Sequence, residues 1–402
     1  MFLRKLLDPA NAVRLFVAAI AIMYLSLPIY AYFFDNYDTY NLELSVLTVA
    51  AILMIVFGAS LPLFDEFIAN SSTKIRFDDR VLSYCIIGGF TLFMIFVFST
   101  ADKIPIFSYF DGADANELSA QRGALFKARE GWQLILLYLF SLFSQAFVPY
   151  AIACLFISRD RLRYVALAIF FLFTISFLQK FLFINALVPL ACAYAITAHN
   201  NRKMLFVAVI AAPFILYVLT NLSMGSEQVG RMYTGVGSVF SADYVPSSAF
   251  DALWWRAIAV PVFTATDTLH VFYERLNGEI LMGASSSLVA FLTGAERVNL
   301  ERYVFDYQWG WNDTANANSV FFVDAFINFG WIGVCLISFI VGQSLRWFAS
   351  SRDFAMRSLW PLYCLGLFNA SFVGMLFSNG FLIVWFLMFF ALPQSRAVPR
   401  RS

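Results

Sequence analysis

The chain has 402 residues, 61% hydrophobic and 13% charged, with 47 phenylalanines and a formal net charge of +1. A soluble domain is nearer half apolar and a quarter charged, so this composition excludes one. The near-zero charge carries no signal of its own, and no nucleic-acid partner is expected. Apolar runs of about 18 residues recur along the chain, each long enough to cross a hydrocarbon core, which predicts an all-α, polytopic membrane protein.

In chain order, Met1 to Arg14 carries Arg4, Lys5 and Arg14 and reads as a cytoplasmic start, with an uncleaved first span over about Leu15 to Phe34. Span 2 is about Leu44 to Phe64, and Asp65 to Arg80 returns inside with Lys74, Arg76 and Arg80. Span 3 is about Val81 to Ser99, Ala101 to Gly131 is a polar outer loop, and span 4 is about Trp132 to Ile157. Arg159, Arg161 and Arg163 form the next inner cluster. Tyr164 to Ala198 lies between that cluster and Arg202-Lys203, so it must cross and come back. Two helices of about 17 residues just fit, with their tip at Gln179-Lys180. Span 7 is about Met204 to Leu222. Span 8, about Ser319 to Leu345, is followed by inner Arg346, Arg352 and Arg357. Trp360 to Leu392 repeats the short pair with its tip near Ser378-Asn379-Gly380, and Arg396, Arg400 and Arg401 end inside.

That reading gives about ten spans, twelve if both Ala252–Glu274 and Ile280–Thr293 also insert. Three regions follow: a bundle over 1–222, a large outer segment over 223–318 with interfacial helices, and spans 8 to 10 with a tail over 319–402. Seventeen of the 27 Lys and Arg fall in the short inner segments, which supports the orientation. The five cysteines, Cys85, Cys154, Cys192, Cys335 and Cys364, lie in apolar runs at no metal spacing and read as buried small hydrophobes.

No phosphate loop, dinucleotide fingerprint, zinc-protease helix or nucleophile elbow is present. With only two histidines, His199 in an inner loop and His270 outside, a histidine metal site is not expected; neither a metal nor a cofactor is. The outer cations come in groups. Arg122-Gly123, with Lys127 and Arg129 after it, is either a solvated loop at the headgroups or an anion site, since the guanidinium fork suits phosphate. Lys180, among Phe177, Leu178 and Phe181, is either a snorkelling lysine or a charge held at membrane depth for function. Arg231 lies in the glycine-rich run Gly225 to Gly235, four residues after Glu227, where a flexible loop and an anion-binding nest are both open readings. In a helix over Ala252–Glu274, Arg256, Asp267, His270 and Glu274 share one face at about 0°, 20°, 320° and 0°, unless Pro261 kinks it. That face is either the wet side of an interfacial helix or part of a site.

An outer face rich in arginine, paired short helices and one large outer loop together resemble the bacterial O-antigen polymerase family. The residues that carry the resemblance are Arg122-Gly123, Lys180, Arg231, Asn318-Ser319-Val320-Phe321-Phe322 and Asn328-Phe329-Gly330-Trp331-Ile332-Gly333. Related O-antigen ligases usually have a histidine near that asparagine, where this chain has Asn312, Asp313 and Asn316. The resemblance implies a membrane glycosyltransferase architecture of the GT-C type in the bacterial inner membrane. It also implies an inverting, metal-independent transfer of a growing glycan from undecaprenyl diphosphate to a new lipid-linked repeat at the periplasmic face. Expected partners are that lipid-linked oligosaccharide, the bilayer and a chain-length regulator protein. Arg122, Lys127, Lys180, Arg231, Arg256 and Arg302, with Asn318 at the loop's end, would hold the substrates. Glu227, His270 and Asp313 are the candidate bases. The alternatives are a ligase acting on lipid A–core and a flippase for the same lipid-linked sugars.

Overall fold

The structure is a computed structural model that describes residues 6–35, 38–70, 74–113, 115–126, 129, 133, 135–178, 182–197, 214, 217, 237–310 and 316–393. Its elements in order are α1 (Pro9–Phe34), α2 (Thr39–Ser60), α3 (Asp65–Ala69), β1 (Ile75–Phe77), α4 (Asp79–Ser99), α5 (Pro105–Phe110), α6 (Ala115–Phe126), α7 (Ile135–Ile157), α8 (Arg163–Phe177), α9 (Leu182–Ile196), α10 (249–274), α11 (Ser287–Thr293), α12 (Leu300–Trp309), α13 (Phe321–Ser350), α14 (Phe354–Ser358), α15 (Trp360–Leu367), α16 (Phe372–Phe377), α17 (Phe381–Phe390) and β2 (Ala391–Pro393). Five of these, α1, α2, α4, α7 and α13, are long and apolar enough to cross a membrane. The chain is thus mostly helical, with expected spans 1 to 4 and 8 all present. Span 7 lies outside the described residues apart from Phe214 and Tyr217, which are helical.

The expected short pair is present as α8 and α9, 15 residues each. At 1.5 Å per residue each is about 22 Å long, short of a hydrocarbon core of about 30 Å. The second expected pair is instead three pieces, α15, α16 and α17. A break at 368–371 precedes the anticipated one at Gly380, which takes φ 79°. The sequence reading also missed the strands β1 and β2, a parallel pair in register Ile75 to Ala391.

Among the described residues three helices carry π turns, Ala21–Ser26 in α1, Phe143–Phe147 in α7 and Trp255–Ala259 in α10. Each directly precedes a helical segment with proline at its second residue: Pro28, Pro149 and Pro261. A helical proline clashes with the carbonyl four residues back. Those carbonyls belong to Tyr24, Gln145 and Ala257, all inside the π turns, where the wider ladder makes room for the ring.

The core is built around α2 and α13, whose buried faces include Leu44, Ala51, Ile55, Val334, Val341 and Leu345. Gly58 and Gly342 bring these backbones together. A Cβ on Gly58 would collide with the Phe339 carbonyl oxygen, and one on Gly342 with that of Ile55. Small residues at such crossings replace the hydrophobic drive that lipid removes. Gly342→Leu is therefore expected to cost about 1–3 kcal/mol or more through forced separation of the two helices, read as a lower Tm in detergent. A second core joins α4, α7 and α8 through tilted and edge-on contacts of Phe90, Phe93, Phe143, Phe170, Phe173 and Phe177, with Ala186 and Leu190 added from α9.

Contacts between loops sort by end of the bundle. At one end Arg346 pairs with Asp65 at 2.6 Å, Tyr150 donates to Asp353 at 2.9 Å, Lys74 donates to the Met388 carbonyl at 2.6 Å, and β1 meets β2. At the other, Ser238 donates to Asp35, Tyr40 donates to Glu274 at 2.9 Å, and Arg129 donates to Thr100 at 2.9 Å. The first set joins segments that charge assigns to the inside, and the second joins segments assigned to the outside. The second end is called outer below.

Candidate active site at the outer ends of the helices

The outer segment folds onto the bundle through apolar residues first. Phe240, Trp255, Ala259, Val262 and Phe263 close over Ala31 of α1, and Trp255 donates its indole N–H to the Val239 carbonyl at 2.9 Å. That seats α10 beside α1 and the first turn of α2. Asn41 of α2 accepts from Thr266 at 2.8 Å, and Tyr273 donates to Glu43.

Past Pro261, α10 turns Asp267, His270 and Glu274 toward α2 and α12. Gln308 of α12 donates to Asp267 at 2.6 Å and to Thr264 at 3.2 Å. Its amide oxygen is enclosed and has no donor among the described residues. The His270 ring stacks on Tyr307 with centroids 4.6 Å apart and meets Tyr40 edge-on at 5.4 Å. Tyr40 in turn stacks on Tyr273 at 5.5 Å. Arg275 pairs with Asp306 at 2.6 Å and lies 5.8 Å from the centre of the Tyr307 ring. The result is a ladder of four rings, flanked by carboxylates, at the mouth of the bundle. Tyr303, Tyr307 and Trp309 leave α12 about 40% exposed beside it.

Burial sets the chemistry of Asp267. Loss of water pushes its carboxyl up to about 7, against the opposing hydrogen bond from Gln308, with a further upward push from Asp38. A carboxylate that titrates near neutrality has the property a general base needs. Burial also raises the Tyr307 hydroxyl. Among the described residues no group of three or more His, Cys, Asp or Glu could hold a metal ion.

The residues expected from sequence fall into three groups. Of the candidate bases, His270 stands in the ring ladder, while Glu227 and Asp313 lie outside the described residues. Lys127, Lys180 and Arg231 also lie outside them. Arg122 is half-buried on α6, and its guanidinium lies 3.5 Å from the Leu178 carbonyl at the end of α8. Leu178 takes φ 53°, uncommon for a non-glycine residue, and stands two residues before Lys180. Arg122 is therefore at the C-terminal end of α8. Among the described residues no hydrogen bond or ion pair joins Arg122 to the His270 cluster.

Arg302 is half-buried in the first turn of α12, and Asn318 is exposed just before α13. Arg256 is exposed inside the π turn and departs from the expected common face. A π turn takes up one extra residue, rotating everything before it by about 100° relative to an unbroken helix, so Arg256 is carried off the Asp267–Glu274 side. Arg129, which follows Arg122 in sequence, is buried, with its guanidinium on the carbonyls of Leu125 and Val97 and the side chains of Thr100 and Gln133. It closes the end of α4, with four of its five N–H groups committed to the protein.

Sequence reasoning placed Asp267 on this face but did not single it out, and it missed Tyr40, Glu43, Tyr273, Tyr307 and Gln308. Their partners are up to 234 residues away, and no local pattern marks them. The chain matches no protein-family model, no curated protein and no solved structure.

Proposed function

We propose that this protein is an inner-membrane glycosyltransferase that extends a polysaccharide, moving the growing glycan from undecaprenyl diphosphate onto a new lipid-linked repeat at the outer face. The observation that carries the reading is Asp267, a carboxyl brought to neutral pKa at the mouth of a membrane bundle, beside exposed aromatic rings that suit sugar faces. In the step, the acceptor hydroxyl oxygen attacks the anomeric carbon, the bond from that carbon to the diphosphate oxygen breaks, and the acceptor proton passes to the base. Asp267 or His270 is that base in the described residues, with Glu227 and Asp313 as further candidates. Diphosphate is already a good leaving group, so no general acid is required. Charge growing on it is met by Arg122, with Lys127, Lys180, Arg231, Arg256, Arg302 and Asn318 as further contacts, in the manner of an oxyanion site.

A second reading, a flippase for the same lipid-linked sugars, is favoured by one observation: Asp324 is a half-buried carboxylate within an apolar helix that breaks at Gly330. Purified protein supplied with lipid-linked repeats separates the two. Long glycan should form, and should form equally in chelator. Absence of polymer with intact protein and substrate, or polymer only after magnesium or manganese is restored, would overturn the proposal. In cells, loss of a polymerase leaves core carrying one repeat, loss of a ligase leaves lipid-linked chains never transferred, and loss of a flippase leaves neither.

A further inference from the structure

We infer that the bundle holds one sodium-sized monovalent cation in a small chamber behind the active face. The chamber is about 20 Å³ and is lined by oxygen-bearing side chains from five segments: Thr268 of α10, Glu301 of α12, Ser319 before α13, Asp324 of α13 and Ser371 before α16. Its remaining walls are apolar, among them Leu300 and Val304. That volume takes one water-sized particle and no more.

Three observations ask for a cation there. Asp324 is half-buried, and one of its carboxylate oxygens accepts from Ser285 at 3.3 Å and Asn328 at 3.1 Å. The other oxygen has no donor, and no Lys or Arg pairs with Asp324, among the described residues. The Ser319 hydroxyl oxygen is fully enclosed and has no hydrogen-bond partner among the described residues. Gly330, at φ 61° and ψ −155°, splits α13 into Phe321–Phe329 and the longer run that follows, so Asp324 rides on a separate short helix pinned where the Ile327 carbonyl accepts from Leu281 at 3.0 Å. A carboxylate held partly out of water without a counter-charge is costly, whereas hydroxyls and carboxylates together form the donor set of a hard cation. Magnesium keeps several waters, for which the chamber has no room, and calcium takes 6–8 oxygens. Five side chains around one particle fit sodium.

The test reads stability, so its failure is distinct from failure of the transferase reading. Full-length protein in detergent is unfolded thermally across a sodium chloride series, with choline chloride holding ionic strength constant. Sodium should raise Tm saturably, as binding to the folded state alone requires, and Asp324→Asn, which keeps the shape, should abolish the response. Should that variant fail to fold, Ser319→Ala should weaken the half-saturating sodium concentration several-fold. Coincident sodium and choline curves, an undiminished response in Asp324→Asn, or an unchanged midpoint in Ser319→Ala would each overturn the inference in favour of water or a shared proton.

Discussion

Asp267→Asn is expected to lower the transfer rate by about 10²- to 10⁴-fold, the usual contribution of a positioned general base, with a smaller change in KM. The wild-type rate should rise with pH through about 7, because the base works only when ionised and burial delays its ionisation to that point. Stability moves the other way. The folded state holds the Asp267 proton more tightly than the unfolded chain does. Its contribution is therefore complete below the ordinary carboxylate range near 4 and is lost as pH rises through about 7. Asparagine removes that slope, so the variant's Tm should fall less between pH 4 and 7 than the wild type's. Asp353, raised by burial to about 6 at the inner end, keeps its own slope in both proteins. An active Asp267→Asn enzyme with an unshifted pH profile would move the base to His270, Glu227 or Asp313.

Arg122→Ala and Arg231→Ala should each cost about 100- to 1000-fold in rate, or about 2.7–4 kcal/mol, if they hold diphosphate charge that grows in the transition state. Lysine should rescue incompletely, since the planar fork is lost. Arg122 also faces the Leu178 carbonyl, so alanine there could act by loosening the end of α8. Tm separates the two cases: a lost cap lowers Tm with rate, and a lost substrate contact lowers rate alone. Arg352→Ala, in an inner loop, is the control and should change the rate little. Long-chain glycan at normal length and protein level in both alanine variants would make these solvated loop charges.

Much of the scaffold was legible because membrane spans are set by length and composition, and both are local. The return inside Tyr164 to Ala198 followed from charge at its two ends, and α8 and α9 stand there. The break at Gly330 was not legible. Phe329-Gly330-Trp331 sits in one unbroken apolar run, and the bend depends on packing against Ile280 and Leu281 from another segment. Pro261 was read as a possible kink; its outcome, a π turn, also moved Arg256 off the common face. The candidate site was half visible. Asp267 and His270 share a helical period, but the rings and amide that give them an environment come from Tyr40, Tyr307 and Gln308. Only the fold brings those together.

The strand pair at the inner end has a consequence for how the chain is made. Ile75–Phe77 and its neighbour Lys74 leave the ribosome long before Ala391–Pro393 and Met388, which complete them. The 316 positions separating Ile75 from Ala391 take about 16–63 s to synthesise at roughly 5–20 residues per second. Throughout that interval β1 is a bare edge, and Lys74 lacks the Met388 carbonyl, although most of the spans already exist. Closing this clasp is a late act of biogenesis, and a nascent chain stalled before Ala391 keeps an open edge at this end of the bundle.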